Sequence, residues 1–143
     1  MGKAFIMRCI TFSDFKKALF EAFSTGAAAI LYNTGLICGE RSSKRLKQRF
    51  KDASEAIDKL AEYKSREGWF KLDTNQFNRE EGRGRIICRD LFEAKQYTSN
   101  QPSCYFTKGY LKAYLTHVYN REVEVKEVEC LSKGDKNCVF EVS

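Results

Sequence analysis

The sequence predicts one α+β domain over residues 1–143, an antiparallel sheet packed with a long helix and flanking helices. Three observations predict it. Apolar residues recur at three-to-four spacing through residues 13–65 and 104–119, which is the helical period. Residues 69–90 hold two β-prone runs around N-R-E-E-G-R-G, a hairpin signal. Residues 122–142 hold two more around Gly134-Asp135, a turn signal. Strands joined by short turns pair antiparallel, and helices then cover the sheet.

Each element follows from local chemistry. Residues 4–12, with Phe5, Ile6, Met7 and Ile10, read as a first strand. Ser13-Asp14 marks a helix start, and Phe15, Ala18, Leu19 and Phe23 follow at helical spacing. Residues 25–50 read as a long helix whose first half is apolar on nearly all sides and is expected to be buried. Gly35 and Gly39 would cost about 1 kcal/mol each against Ala in an exposed helix; in a packed one they admit a close neighbour. Leu46, Phe50, Ala53, Ile57, Leu60 and Ala61 keep the period past a break near Lys51, and Gly68 ends it. Residues 69–77 and 85–90 form the hairpin. Residues 94–103 are a polar loop with the only proline, residues 104–119 an aromatic-rich helix, and residues 122–130 and 137–142 the closing strands. A sheet edge must be covered or paired, so a homodimer is expected.

Composition narrows the function. Hydrophobic residues are 43% and charged residues 31%, an ordinary soluble globular balance that excludes a disordered or collagen-like chain. The apolar stretch over residues 26–39 falls short of the roughly 20 residues of a membrane span, and the start has no signal-peptide pattern. A cytoplasmic chain is expected. Net charge is +6, and R-S-S-K-R-L-K-Q-R-F-K, residues 41–51, has six basic residues and no acid. Such a run contacts phosphates or forms a solvated helix face; a nucleic-acid partner is not the favoured reading. No glycine loop between strand and helix is present to cradle a phosphate, nor a nucleophile–base pair, so a non-enzymatic role is expected.

The six cysteines divide by position. Cys9, Cys38 and Cys88 lie in apolar elements and read as core thiols. Cys104 opens the aromatic helix, whose N-terminal partial charge favours thiolate. Cys130 ends one strand and Cys138 begins the next, and a hairpin brings such ends together. Three converging thiolates suit zinc, although no pair is a tight C-x-x-C, and three small buried hydrophobes fit the spacing equally well. His117 sits more than three helical turns beyond Cys104, roughly 20 Å along the axis, so Glu127 and Glu129 are the candidates for a fourth ligand.

The stretches C-Y-F-T-K-G-Y-L-K-A-Y-L and V-E-V-K-E-V-E-C-L-S-K-G-D-K-N-C-V-F-E-V resemble the end of the vinyl-4-reductase domain. That family's hallmark is a cysteine, a helix with glycine, E-x-x-C, a Gly-Asp turn and C-x-F. G-A-A-A-I-L-Y-N-T-G-L-I-C-G-E is similar to the family's long helix. Ala113 departs from the pattern, standing where a second small residue is often glycine. The resemblance implies a fold similar to subunits of the TRAPP complex. It also implies one structural zinc per chain, held by three cysteines and one glutamate spaced Cys-x22-Glu-x2-Cys-x7-Cys. Cys104, Glu127, Cys130 and Cys138 match that spacing, which selects Glu127 over Glu129. Lys108, Lys126, Lys133 and Lys136 stand near these ligands in sequence and could offset their charge.

The resemblance further implies a buried pocket for a small apolar ligand: a hydrocarbon, an aromatic or an acyl chain. Tyr32, Leu36, Trp69, Leu111, Tyr114, Leu115, Val118, Val123 and Val125 are its candidate walls; alternatively they fill a solid core. No histidine stands where a phenolic hydroxyl would need an anchor, so phenol sensing is not implied. A sensor or carrier of a small molecule is the first reading. An accessory or carrier for reduction of a tetrapyrrole vinyl group is the second, and a basic nucleic-acid-binding module the third. No flavin or nicotinamide site is legible.

Overall fold

The computed structural model describes residues 2–143. Its helices are α1 (Cys9–Phe23), α2 (Gly26–Leu46), α3 (Ala53–Arg66) and α4 (Tyr105–Tyr119). Strands β1 (Lys71–Asn78), β2 (Arg83–Arg89), β3 (Val125–Glu129) and β4 (Cys138–Val142) form one antiparallel sheet in the order β1-β2-β4-β3. The predicted α+β class and the two hairpins are what the chain forms. A 3-10 turn, Lys47–Arg49, closes α2, which is the expected break before α3. Asp52 caps α3 by accepting the Glu55 backbone N–H at 2.8 Å, while Glu55 accepts the Lys51 N–H at 2.9 Å. These bonds satisfy donors that a helix start leaves free.

Three glycines set the helix packing. A Cβ on Gly35 would collide with the Phe106 carbonyl oxygen, and one on Gly39 with that of Tyr110. On the facing helix, a Cβ on Gly109 would collide with the Tyr32 carbonyl oxygen. Helices α2 and α4 therefore cross backbone against backbone, the close approach that small residues permit. This contact seats α4 over the sheet, with Leu111, Tyr114 and Leu115 fully buried among Ile57, Leu60, Ile86 and Phe140. The Tyr114 hydroxyl donates to the Ala56 carbonyl at 2.8 Å, so α3 is tied to the same core.

The N-terminal third departs from expectation. The predicted first strand over residues 4–12 does not form: no regular element precedes α1, and Ile6 is 99% exposed. Residues 9–12 fold into α1 instead, and residues 2–8 pair with neither open edge of the sheet, β1 or β3. Helix α1 also turns its expected core stripe outward. Phe15 and Phe23 are exposed, while Ser13 and Lys16 are buried. Helix α2 is buried along one stripe (Ala27, Leu31, Gly35, Gly39, Ser42, Ser43 and Leu46) instead of all round, and Ile30 and Ile37 face outward. The run over residues 41–51 is partly paired: Lys44 meets Glu40 at 2.8 Å and Arg49 donates to the Tyr63 hydroxyl at 3.2 Å.

Gly39→Ala is expected to cost about 1–3 kcal/mol or more in urea denaturation, because the colliding atoms are backbone and cannot yield as a side chain can. Gly26→Ala, whose added Cβ meets only Phe23 Cβ at 3.7 Å, should unfold like the parent.

Candidate metal centre

Three elements deliver the sulfur atoms. Cys104 is the N-cap residue of α4, Cys130 follows β3 and Cys138 opens β4. The Sγ atoms of Cys104 and Cys130 lie 3.7 Å apart, those of Cys104 and Cys138 3.8 Å, and those of Cys130 and Cys138 4.0 Å. A disulfide would need about 2.05 Å. In a tetrahedron with zinc–sulfur bonds of about 2.3 Å, ligand sulfurs stand about 3.8 Å apart. The three thiols therefore mark one face of such a tetrahedron.

The fourth corner is set by a bulge. Glu127 pairs with Phe140 and Glu129 with Val139, so Val128 is an extra residue in β3. Without it, Glu127 and Glu129 would share a face and Cys130 would point away. The bulge reverses the alternation after Glu127. Glu129 becomes exposed, and Cys130 joins Glu127 on the buried side. Glu127 Oε1 accepts the Cys104 backbone N–H at 2.9 Å. Its Oε2 is buried with no hydrogen-bond partner. A carboxylate oxygen left bare in the interior is costly unless a cation takes it. One oxygen of Glu127 and the three Sγ atoms all lie within 4.8 Å of one another. The donor set and spacing fit a tetrahedral zinc.

Burial governs the protons of these donors. It pushes the Glu127 carboxyl up to about 8, and the neighbouring Cys130 charge adds to it. Burial also raises the Cys104 thiol well above its usual range. At Cys138 the hydrogen bond with Cys104 lowers the pKa, but the bond with Cys130 and burial together outweigh it. Cys130 is the exception: hydrogen bonds from Cys104 and Cys138 hold it far below the usual thiol range. Burial thus disfavours the charged forms of Cys104, Cys138 and Glu127, and uptake of a metal must displace whatever protons they hold.

A polar frame surrounds the donors. Asp135 Oδ2 accepts the Cys130 N–H at 2.9 Å, and the Leu131 N–H points to Cys138 Sγ at 3.4 Å. Ser132 Oγ lies 3.0 Å from Cys130 Sγ and 2.7 Å from Ser103 Oγ. Fully buried Glu93 accepts the N–H groups of Phe106 and Thr107 at 2.9 and 2.8 Å, capping α4 from the preceding loop. Sequence reading missed Glu93, Ser103, Ser132 and Lys16. Ser103 and Ser132 neighbour ligand cysteines and could have been suspected; Lys16 and Glu93 carried no signal.

The remaining predicted residues are dispersed. Lys133 pairs with Asp135 at 3.4 Å, Lys108 Nζ stands 5.2 Å from the centroid of the Tyr32 ring, and Lys126 is exposed opposite Glu141. Lys136 is exposed. His117 faces Glu40 at 3.8 Å, with its side chain 42% exposed. Cys88 is buried directly across from Cys138, while Cys9 and Cys38 are only half-buried. Among the candidate pocket residues, Leu111, Tyr114, Leu115 and Val123 are fully buried core. Val125 borders an open groove beside Arg85 and Glu124, and Val118 a shallow cleft with Phe50 and His117. Tyr32 and Leu36 are half-buried on α2. Trp69 is half-buried among the rings of Phe92, Phe106 and Tyr110, at centroid distances of 5.4–5.5 Å.

The family model of the vinyl-4-reductase domain matches residues 85–143, the segment that carries all four donors. Residues 85–143 belong to the vinyl-4-reductase domain family. Beyond that segment the likeness is one of fold. A vinyl-4-reductase family protein from Methanocaldococcus jannaschii superposes with a TM-score of 0.60 at 22% identity, over 99% of this chain and 98% of that one. The phenol-responsive sensory domain of the transcription activator PoxR superposes with a TM-score of 0.79 at 16% identity, over 99% of this chain and 76% of that one. Two uncharacterized proteins of M. jannaschii are 33% identical over 57 residues and 38% identical over 42 residues. Those segments cover 38% and 29% of this chain, and span 25% and 26% of the relatives' own length. No helix among the described residues is long and apolar enough to cross a membrane.

The bare oxygen separates the two glutamates of β3. Glu127→Gln should release zinc to a chromophoric chelator faster than the parent, because a neutral amide is a poorer ligand. Glu129→Gln should match the parent. Equal retention by both variants would show that the ligand is misassigned.

Proposed function

We propose that this chain is a non-enzymatic small-molecule-binding domain, a sensor or carrier, held together by one structural zinc at Cys104, Glu127, Cys130 and Cys138. The unpartnered Glu127 Oε2, on a carboxyl group that puts one oxygen within 4.8 Å of three thiols on tetrahedral spacing, carries the reading. Four protein ligands leave no open position for a reacting water. The metal then ties the start of α4 to the β3–β4 hairpin, and its binding energy adds to folding energy. Six free thiols suit a reducing, cytoplasmic compartment.

The ligand proposed is a small apolar molecule, aromatic by preference, taken up beside Trp69. The half-buried rings of Trp69, Phe92 and Phe106 offer apolar surface. Lys64 Nζ, 3.7 Å from the centroid of the Trp69 ring, supplies a polar group. That mixture is what small-molecule sites use. The phenol named for PoxR's sensory domain supports a one-ring guest by fold analogy alone.

Exposed Phe15, Phe23, Ile30 and Ile37 on α1 and α2 support a homodimer. Large apolar side chains left exposed on two consecutive helices are candidates for a shared interface. Light scattering should give twice the chain mass, and Ile37→Asp should shift it toward the monomer; a parent that runs as a monomer overturns the dimer.

Native mass spectrometry on protein purified from its own host tests the main reading. One zinc per chain and a retained apolar mass are expected. No metal, together with free alkylation of every thiol under native conditions, overturns the zinc. A retained pigment would point instead to a tetrapyrrole carrier. An empty chain with salt-sensitive RNA or DNA binding would point to a nucleic-acid module.

A further inference from the structure

Lys16 is fully buried, and its surroundings are unusual for an ammonium group. Its Nζ donates to the Glu93 carbonyl at 3.0 Å, the Ser103 carbonyl at 2.9 Å and Ser103 Oγ at 3.3 Å. The Tyr97 ring lies beneath it, 4.0 Å from Nζ to centroid. All three acceptors are neutral, and among the described residues no carboxylate oxygen stands within ion-pair distance of it. The Glu93 carboxyl feels the Lys16 charge, but its oxygens turn to the Phe106 and Thr107 N–H groups and form no ion pair with Nζ. A buried cation needs negative charge nearby. The hydrogen bonds lead to it. Ser103 Oγ stands 2.7 Å from Ser132 Oγ and 3.9 Å from Cys130 Sγ, and Ser132 Oγ is 3.0 Å from the same sulfur. Three thiolates and a carboxylate around a divalent cation leave two negative charges in excess. The lysines expected to offset them lie at the surface or pair elsewhere, whereas Lys16 reaches Cys130 through buried hydroxyls.

We infer that Lys16 is a positioning residue for the metal centre, and that it couples the docking of α1 to metal occupancy. The inference rests on the zinc reading above. Lys16 and Ser13, whose Oγ donates to the Gln96 carbonyl at 2.8 Å, are the buried residues of α1. The helix is therefore held to the loop before Cys104 by these polar bonds, beside ring contacts of Phe12 with Phe92 and Phe20 with Tyr105, while Phe15 and Phe23 face out. Emptying the site removes the metal that fixes the Cys130 sulfur at the end of this hydroxyl path, and so loosens that attachment. By linkage, undocking α1 must weaken metal retention by the same factor.

Two measurements on the full chain test this. In chelator competition, Lys16→Met should hold zinc roughly 10- to 100-fold more weakly than the parent, the usual effect of losing a partner of a ligand. Ser103→Ala keeps both carbonyl acceptors and cuts only the hydroxyl link, so it should weaken zinc in the same direction but less. In hydrogen exchange, stripping zinc should deprotect residues 9–23 of the parent beyond any change in residues 53–66. Zinc-loaded parent with Lys16→Met and Ser103→Ala both retaining metal like the parent overturns the coupling alone. Equal protection of residues 9–23 with and without zinc does the same. A parent that binds no zinc overturns the zinc reading and this inference together. Should Lys16→Met fail to fold, Ser103→Ala and the exchange measurement still decide.

Discussion

The donor cluster depends on a two-for-one mismatch between β3 and β4. A regular strand would send Glu127 and Cys130 to opposite faces, since they are an odd number of residues apart. The extra residue, Val128, brings both to the buried side and sends Glu129 out. Once Glu127 is buried, the rest follows from the chemistry of interior charge. One oxygen takes the Cys104 N–H, fixing the start of α4 against the sheet. The other has no protein partner. Burial then raises the pKa of the carboxyl and of the Cys104 thiol, so the charged forms of these donors are disfavoured without a cation.

That arrangement needs α4 at the right height over the sheet, which the glycines of the helix crossing provide. With Gly35, Gly39 and Gly109 at the contact, the backbones of α2 and α4 touch. The first turn of α4 is then held from two sides. Glu93 caps Phe106 and Thr107 from the preceding loop, and Glu127 holds Cys104 from β3. A carboxylate at each of these positions also suits the positive end of the helix dipole. Helix packing and sheet irregularity thus converge on one residue, Cys104, and the metal reading is a consequence of both.

The N-terminal helix obeys a different logic. Its buried side is polar and its exposed side carries Phe15 and Phe23, the reverse of an amphipathic helix packed on a core. Its attachment combines Lys16 and Ser13, which bind carbonyls of the loop that precedes Cys104, with ring contacts of half-buried Phe12 and Phe20. The apolar side remains for another surface. This links the outside of the molecule to the metal site through a short polar path.

Local pattern was enough for α3, α4, both hairpins and the turn at Gly134-Asp135, because periodicity and turn chemistry act within a few residues. The spacing of Cys104, Glu127, Cys130 and Cys138 was legible too, though the choice of Glu127 came from family resemblance and not from strand alternation. Other features were decided only in three dimensions. Whether Phe5 and Ile6 join a sheet depends on the chain reaching an open edge, β1 or β3, and it reaches neither. Which side of α1 is buried depends on the loop it meets, residues 93–103, some eighty positions away in sequence. The bulge at Val128 arises from the pairing of β3 with β4, and a bulge leaves no signature in a strand's own residues when none is glycine. Sequence determined which side chains could serve as ligands, because donor chemistry belongs to the residue. Tertiary structure decided which oxygen is left without a partner, because that depends on every other group packed around it.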